Sequence, residues 1–288
     1  MISRLQMLSR KSIDCLQSLR HYVPPPTAWH NVPLSRRSAV LILLHPNANG
    51  DLSVVLTMRA AKMSSFSNQA AFPGGKADLE TESEFQVARR EAFEEIGFPL
   101  NLDTSKYRYE EITTFPAHLA RNWLVVRPVL AYISHRNETD GPIDLNEVLR
   151  LNSCSRSDEV SAVFTVPLDK FLKADKGWYN GSWMDWSGLR WRQHIFSVPS
   201  TKQDIVPNRG ESKPQSVYRV WGLTARMLLD AARIGYKQEP EMEFICKDGD
   251  ELLISKLMEI GRLGPIRDKA EISIRFSDLF DRDLLAKL

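Results

Sequence analysis

Glu91, Glu94 and Glu95 fall within two turns of a segment with a helical pattern, where side chains three and four residues apart are neighbours. Like charges at that spacing destabilise a helix by ~0.2 to 0.5 kcal/mol per pair, so the cluster needs a counter-charge or full solvation. Arg89 and Arg90 give partial relief. Two more features belong to the same stretch, FPGGKADLETESEFQVARREAFEEIGF from Phe72 to Phe98. A Pro-Gly-Gly turn bares backbone groups before the helix, and Gly97 stops the helix just after Glu95. Several carboxylates beside an exposed carbonyl suit a hard cation, Mg²⁺ or Mn²⁺, which keeps waters and engages phosphate oxygens. The chemistry open to such a set is hydrolysis of a phosphoric anhydride. There cations bridge the phosphate oxygens, neutralise developing charge and activate a water.

The elements around this stretch follow from pattern. Thr81 with Glu84 three residues on has the form of a capping box and predicts the helix start. Phe85, Ala88, Ala92 and Ile96 make its core stripe, from which the three glutamates project roughly away. Upstream, Ala39 to Leu44 and Leu52 to Thr57 predict two strands joined as a hairpin by the turn-rich HPNANGD. Arg59 to Ala71 is polar and irregular and leads into the glycine turn. Downstream, Trp123 to Ile133 and Val160 to Val166 predict strands, the second followed by Pro167 and a helix from Leu168. WYNGSWMDWSGLRW holds four of the seven tryptophans; a hairpin packed over the core explains it better than an aromatic ligand platform, because tryptophans mostly bury area. Thr201 to Pro214 is a loop, Val217 to Ala232 a short strand running into a helix, and Glu251 to Leu263 an amphipathic helix.

Composition sets outer limits. The 38 basic and 36 acidic side chains leave a net charge of +2 with no extended basic run, so nucleic acid is not an expected partner. The longest apolar run, Ala39 to Leu44, is far short of the ~18 residues that suggest a membrane span. Cys15, Cys154 and Cys246 lack the close spacing of a zinc site or a disulfide framework, which fits a reducing compartment. A chain of 288 residues, 43% apolar, predicts one packed domain with extensions. The expected division is 1–34 as an N-terminal helix and Pro-rich linker, 35–235 as the main domain, and 236–288 as a C-terminal extension. The first 22 residues are basic with a leucine face and end before Pro24-Pro25-Pro26. They predict a surface helix, a mitochondrial presequence being the alternative.

Glu82 and Arg90-Glu91-Ala92-Phe93-Glu94-Glu95-Ile96-Gly97-Phe98 resemble the box of the Nudix hydrolases, G-x5-E-x7-R-E-U-x-E-E-x-G-U, with Ala92 small at one apolar position. Lys76 stands where the first Gly belongs, so the loop is one residue longer. That loop, FPGGKAD, is similar to the coenzyme A diphosphatase branch of the superfamily, as is the preceding LTMRAAKMSSFSNQAAFPGG, although Asn68 replaces an expected Gly and Ser64 an expected basic residue. EVSAVFTVPL and VWGLTARML resemble later segments of the same branch.

The resemblance implies an α+β Nudix fold, a mixed β-sheet sandwiched between helices (α/β/α). It implies that Glu91, Glu94 and Glu95 ligate Mg²⁺ or Mn²⁺ with a carbonyl from the Gly75 region, that Arg90 orients a carboxylate, and that Glu82 supports the loop. The general base is Glu91 or, outside the box, Glu159. Arg59 and Lys62 are candidates for the substrate phosphates, the alternative being ordinary surface cations, and Gly74 and Lys76 border the same loop. The implied substrate is coenzyme A, or an acyl or oxidised form; ADP-ribose, NADH or an oxidised nucleotide is the alternative, and a non-catalytic binding scaffold a third reading. Ala286-Lys287-Leu288 is a variant of the Ser-Lys-Leu peroxisomal address and names the import receptor as a partner. Peroxisome is the expected location, with mitochondrion or cytoplasm as alternatives.

Overall fold

The computed structural model describes residues 8–61, 67–137, 140–153, 155–207, 215–245, 249–266, 275–281 and 285. Lys62 and the tripeptide Ala286-Lys287-Leu288 lie outside them. In chain order the elements are α1 (Arg10–Arg20), β1 (Arg37–Pro46), β2 (Leu52–Arg59), β3 (Ala70–Ala71), β4 (Gly74–Lys76), α2 (Glu84–Ile96), β5 (Tyr107–Thr114) and β6 (His118–Leu119). There follow β7 (Val125–His135), α3 (Leu145–Val148), β8 (Val160–Pro167), β9 (Tyr179–Trp186), β10 (Leu189–Pro199), β11 (Val217–Trp221), α4 (Gly222–Tyr236) and α5 (Glu251–Glu259).

Strands β1 to β8 form one mixed sheet with the order β3-β2-β1-β7-β5, while β4, β6 and β8 pair with β1, β7 and β2. Successive side chains of a strand point to opposite faces, and here both faces are apolar. Ile42, Leu44, Val54, Leu56, Leu130 and Tyr132 enter a core shared with Leu16 and Leu19 of α1 and Leu228 and Ala231 of α4. Leu41, Leu43, Val55, Val129, Ala131 and Ile133 enter a second core with Val87, Ala88, Ala92 and Ile96 of α2 and Leu253, Ile254 and Leu257 of α5. The sheet is thus sandwiched between helices, as the resemblance implied. The expected β1–β2 hairpin forms, with Leu44 opposite Val54. The tryptophan-rich stretch is the β9–β10 hairpin, and Trp186 packs edge-on against Phe276 with ring centroids 5.5 Å apart. Among the described residues no helix is long and apolar enough to cross a membrane.

Two local expectations are corrected. Gly74 and Gly75 do not form a free turn; they lie in β4, which pairs antiparallel with Ser38–Val40 of β1. Strand β2 pairs with β1 only at Leu44–Pro46, so the start of the same edge is left for β4. A Cβ on Gly74 would lie 2.5 Å from the Ala39 carbonyl oxygen and 2.6 Å from Val40 Cα, so backbone proximity itself requires glycine here. The helix cap also differs. Ser83 and Gln86, not Thr81 and Glu84, form the reciprocal capping box. Glu84 is turned toward His30 at 3.4 Å and Arg127 at 3.8 Å, and Glu82 accepts the amides of Asp78 and Leu79, so the chain is still turning at Thr81. Gly97 ends the helix as expected, with φ 67°.

The start of α5 is bolted to the sheet by buried charges. Asp250 receives Arg226 Nη1 and Nη2 at 3.0 and 2.9 Å and the Leu119 amide at 2.9 Å. Glu251 accepts Arg127 Nη1 at 2.8 Å, the Ala117 amide at 2.7 Å and the Ala28 amide at 3.1 Å. Arg127 thereby links α5 to Glu84 at the start of α2. The acidic helix is held at its N-terminal end from both sides.

Candidate active site

Helix α2 packs on β1 and β4, and this decides where its glutamates go. Glu91 and Glu95 are only 3% and 5% exposed. The core stripe had suggested glutamates projecting away from the core; instead β4 and the turn before β8 cover Glu91 and Glu95, while the Glu94 side chain is 21% exposed. Gly75 sits directly under Glu91, close enough that a Cβ there would fall 2.6 Å from both carboxylate oxygens. The Gly75 carbonyl accepts Ser38 Oγ at 2.6 Å. The Gly74 amide donates to Glu95 Oε2 at 3.1 Å. Glycine in β4 is what allows backbone and carboxylates to share this space.

Arg90 braces the cluster. Its Nε and Nη2 donate to the two oxygens of Glu82 at 2.8 and 3.3 Å, Nη2 also donates to the Lys76 carbonyl at 2.9 Å, and Nη1 donates to Glu91 Oε1 at 3.1 Å. Asp78 and Glu94 lie 3.3 and 3.7 Å from the same Nη1. Burial would raise Glu82, but Arg90 and the amides of Asp78 and Leu79 outweigh it and hold the carboxyl below its usual range. Arg90 is therefore a fixed strut between the helix and the loop that precedes it.

The opposite side is closed by the turn before β8. Arg156 Nη1 donates to Glu91 Oε2 at 2.9 Å, and its Nη2 lies 3.0 Å from Glu94 Oε2. The Arg156 amide donates to the Glu94 carbonyl at 2.8 Å, which fixes the turn on the last part of α2. Sequence reasoning missed Arg156. Nothing in CSRSDEV distinguishes it, and only the packing of that turn against α2 reveals its place.

Glu159 follows three residues later, and its carbonyl accepts the Ala60 amide at 2.7 Å. Between Met58 and Arg59 the β2–β8 register shifts by a bulge, a device that re-aims side chains near sites. Arg59 and Glu159 both act on the ionisation of Glu95: burial is the largest cause raising that carboxyl to about 8, Gly74 and Arg59 oppose it, and the charges of Glu91 and Glu159 reinforce it. Burial also raises Glu91, against the pull of Arg156 and Arg90. Arg59 Nε is buried and without a hydrogen-bond partner among the described residues. The structure thus brings Arg59, Gly74, Gly75, Glu82, Arg90, Glu91, Glu94, Glu95 and Glu159 together, while the Lys76 residue is exposed and contributes its carbonyl.

Among the described residues no group of three or more His, Cys, Asp or Glu side chains is arranged as a ready metal cage. Glu91 and Glu94 are bridged by Arg156, and Glu95 turns to the Gly74 amide. The donor set still fits a hard divalent ion: it is all oxygen, and glycine at position 75 puts no side chain between the β4 backbone and the Glu91 carboxylate.

The NUDIX domain family matches residues 35–187 of the chain. Peroxisomal coenzyme A diphosphatase 1 of Saccharomyces cerevisiae is 29% identical over 273 residues, covering 81% of this chain and 79% of that protein. Nudix hydrolase 15, mitochondrial, of Arabidopsis thaliana is 31% identical over 205 residues, covering 71% of this chain and 60% of that protein. Peroxisomal coenzyme A diphosphatase NUDT7 of Mus musculus is 26% identical over 206 residues, covering 72% of this chain and 73% of that protein.

Proposed function

Because the chain belongs to the Nudix family, we propose that it hydrolyses the diphosphate of coenzyme A or of an acyl or oxidised derivative, releasing adenosine 3′,5′-bisphosphate and the matching 4′-phosphopantetheine. The observation that carries this reading is the acidic face of α2, with Glu91 and Glu95 buried, lying over Gly74 and Gly75 and braced by guanidinium groups. Such a face is an anhydride-cleaving centre built on charge and not on a side-chain nucleophile. The coenzyme A substrate is supported by FPGGKAD and by the similarity to the yeast and mouse proteins named as coenzyme A diphosphatases. In this reading the catalytic unit spans 35–235, with 1–34 and 236–288 as extensions.

Glu91, Glu94 and Glu95, with the Gly75 carbonyl, are the residues that would hold Mg²⁺ or Mn²⁺. When bound, the ion supplies neutralisation of the phosphate charge and an acidified water. The chain's own groups do the rest. Arg90 keeps Glu91 in place through Glu82. Arg59 at the end of β2 neutralises substrate phosphate, Lys62 is assigned the same role from the sequence alone, and Gly74 and Lys76 border the substrate along β4. Glu91 is the first candidate for proton acceptor and Glu159 the second, both lying within electrostatic reach of Glu95.

Purified protein incubated with coenzyme A and Mg²⁺ or Mn²⁺ should yield adenosine 3′,5′-bisphosphate by mass spectrometry, with kcat/KM above that for ADP-ribose, NADH and oxidised nucleotides. Cleavage of one of those with none of coenzyme A would reject the substrate and keep the chemistry. The location proposed is the peroxisome, through Ala286-Lys287-Leu288. A fluorescent protein fused ahead of the full chain should enter peroxisomes, and deleting these three residues should leave it outside; unchanged import would overturn that assignment.

A further inference from the structure

Among the described residues two guanidiniums pair directly with Glu91, and they are not held alike. Arg90 is 21% exposed and fastened on Glu82, Glu91 and the Lys76 carbonyl, so it cannot leave without dismantling the loop before α2. Among the described residues the Arg156 side chain pairs with Glu91 and Glu94, and it is 41% exposed. Its backbone does not depend on that contact. The Arg156 amide is on the Glu94 carbonyl at 2.8 Å, and the Arg150 amide on the Gly97 carbonyl at 3.3 Å pins the turn a second time. The side chain can therefore rotate into solvent while the turn stays docked.

We propose that Arg156 is a built-in counter-ion of the Glu91–Glu94 pair, competing with a divalent cation for these two carboxylates and swinging out when the cation binds. The inference rests on the reading above that this cluster is the metal site. Glu91 is buried and Arg90 answers its Oε1, so a second oxygen left unanswered there is costly. A guanidinium fork spanning two carboxylates answers that cost in the metal-free protein. A divalent ion brings twice the charge to the same oxygens, and the half-exposed guanidinium regains solvent on release. Arg156 thus stabilises the empty site and sets the concentration at which metal enters.

The test is Mn²⁺ binding by calorimetry to the wild-type full chain, Arg156→Gln, Arg156→Lys and Glu94→Gln, with thermal unfolding in chelator and in Mn²⁺. Arg156→Gln should bind Mn²⁺ about tenfold more tightly than wild type. It should melt at a lower temperature in chelator and gain more from Mn²⁺. Arg156→Lys, which keeps the charge without the fork, should lie between the two. Unchanged or weaker Mn²⁺ binding by Arg156→Gln, with a wild-type site that Glu94→Gln removes, would overturn the counter-ion and leave the metal site standing. A wild-type protein with no Mn²⁺ site that Glu94→Gln weakens would overturn both.

Discussion

Glu95→Gln should suppress hydrolysis while making the metal-free protein more stable at alkaline pH. The glutamine side chain has the same shape and can still accept the Gly74 amide, which lies 3.1 Å from Glu95 Oε2. What it loses is charge. Removing one ligand charge from the proposed centre should lower kcat/KM by roughly 10²- to 10³-fold, the scale seen when one transition-state contact is deleted. Stability moves the other way. Burial, reinforced by Glu91 and Glu159, raises the Glu95 carboxyl from 4.5 to about 8 in the folded protein. The folded state therefore binds this proton more tightly than the unfolded state does. The stability it contributes is fully present below about pH 4.5 and is lost as pH rises to about 8. Glutamine is neutral throughout and shows no such loss. Urea unfolding in chelator should find the two proteins alike near pH ~4.5 and the variant ahead by on the order of 1 to 3 kcal/mol at about pH 8. Equal activity, or a variant weaker at the higher pH, would mean that Glu95 is a structural acid stabilised by its charge.

The same residue shows what the sequence could and could not convey. That Glu91, Glu94 and Glu95 form one chemical unit follows from their spacing, and Gly97 as a stop follows from glycine's access to positive φ. The strands β1, β2, β7 and β8 were legible because both faces of the sheet are covered, so their apolar runs are nearly continuous. Strand β5 was not. Tyr107 to Thr114 is an edge strand with alternating half-exposed polar residues, and YRYEEITT carries little core signal. Burial of the acidic face was also hidden, since it depends on β4 and on the turn around Arg156, both brought in by tertiary pairing. Arg156 and Ser38 are functional neighbours for reasons no local pattern encodes: one is carried in from 65 residues beyond Glu91, the other reaches the Gly75 carbonyl across the β1–β4 pair.

These placements make the centre a compromise between folding and chemistry. Two carboxylates buried beside β4 are unfavourable for stability; the fold answers Glu91 with one fixed and one half-exposed guanidinium, and Glu95 with the Gly74 amide. The surrounding apolar layers make this tolerable, because Val87, Ala88, Ala92 and Ile96 anchor the opposite side of α2. The site is therefore positioned by the core and held in tension by its own charges, an arrangement in which small steric changes act on the chemistry before they act on the fold.

Gly75→Ala is the steric change that isolates this effect. Its Cβ would meet Glu91 Cδ at 2.5 Å and both carboxylate oxygens at 2.6 Å, distances no real contact sustains. The obstructed group is the end of a side chain, so β4 can stay paired while Glu91 shifts. Both Glu91 oxygens are held, by Arg90 at 3.1 Å and Arg156 at 2.9 Å, so the shift disturbs the whole cluster. A displacement of about 1 Å in a reacting array costs roughly 10²-fold, and kcat/KM should fall by that order, with a stability loss of about 1 to 3 kcal/mol, the usual cost of overpacking. Gly74→Ala meets Ala39 and Val40 backbone atoms instead, and it should fail chiefly by unfolding. Glu91→Asp retracts the carboxylate and makes room for the added methyl. Combined with Gly75→Ala it should be no worse than the poorer single variant, a coupling that distinguishes direct contact from independent damage. Full activity in Gly75→Ala would remove Glu91 from the reacting centre.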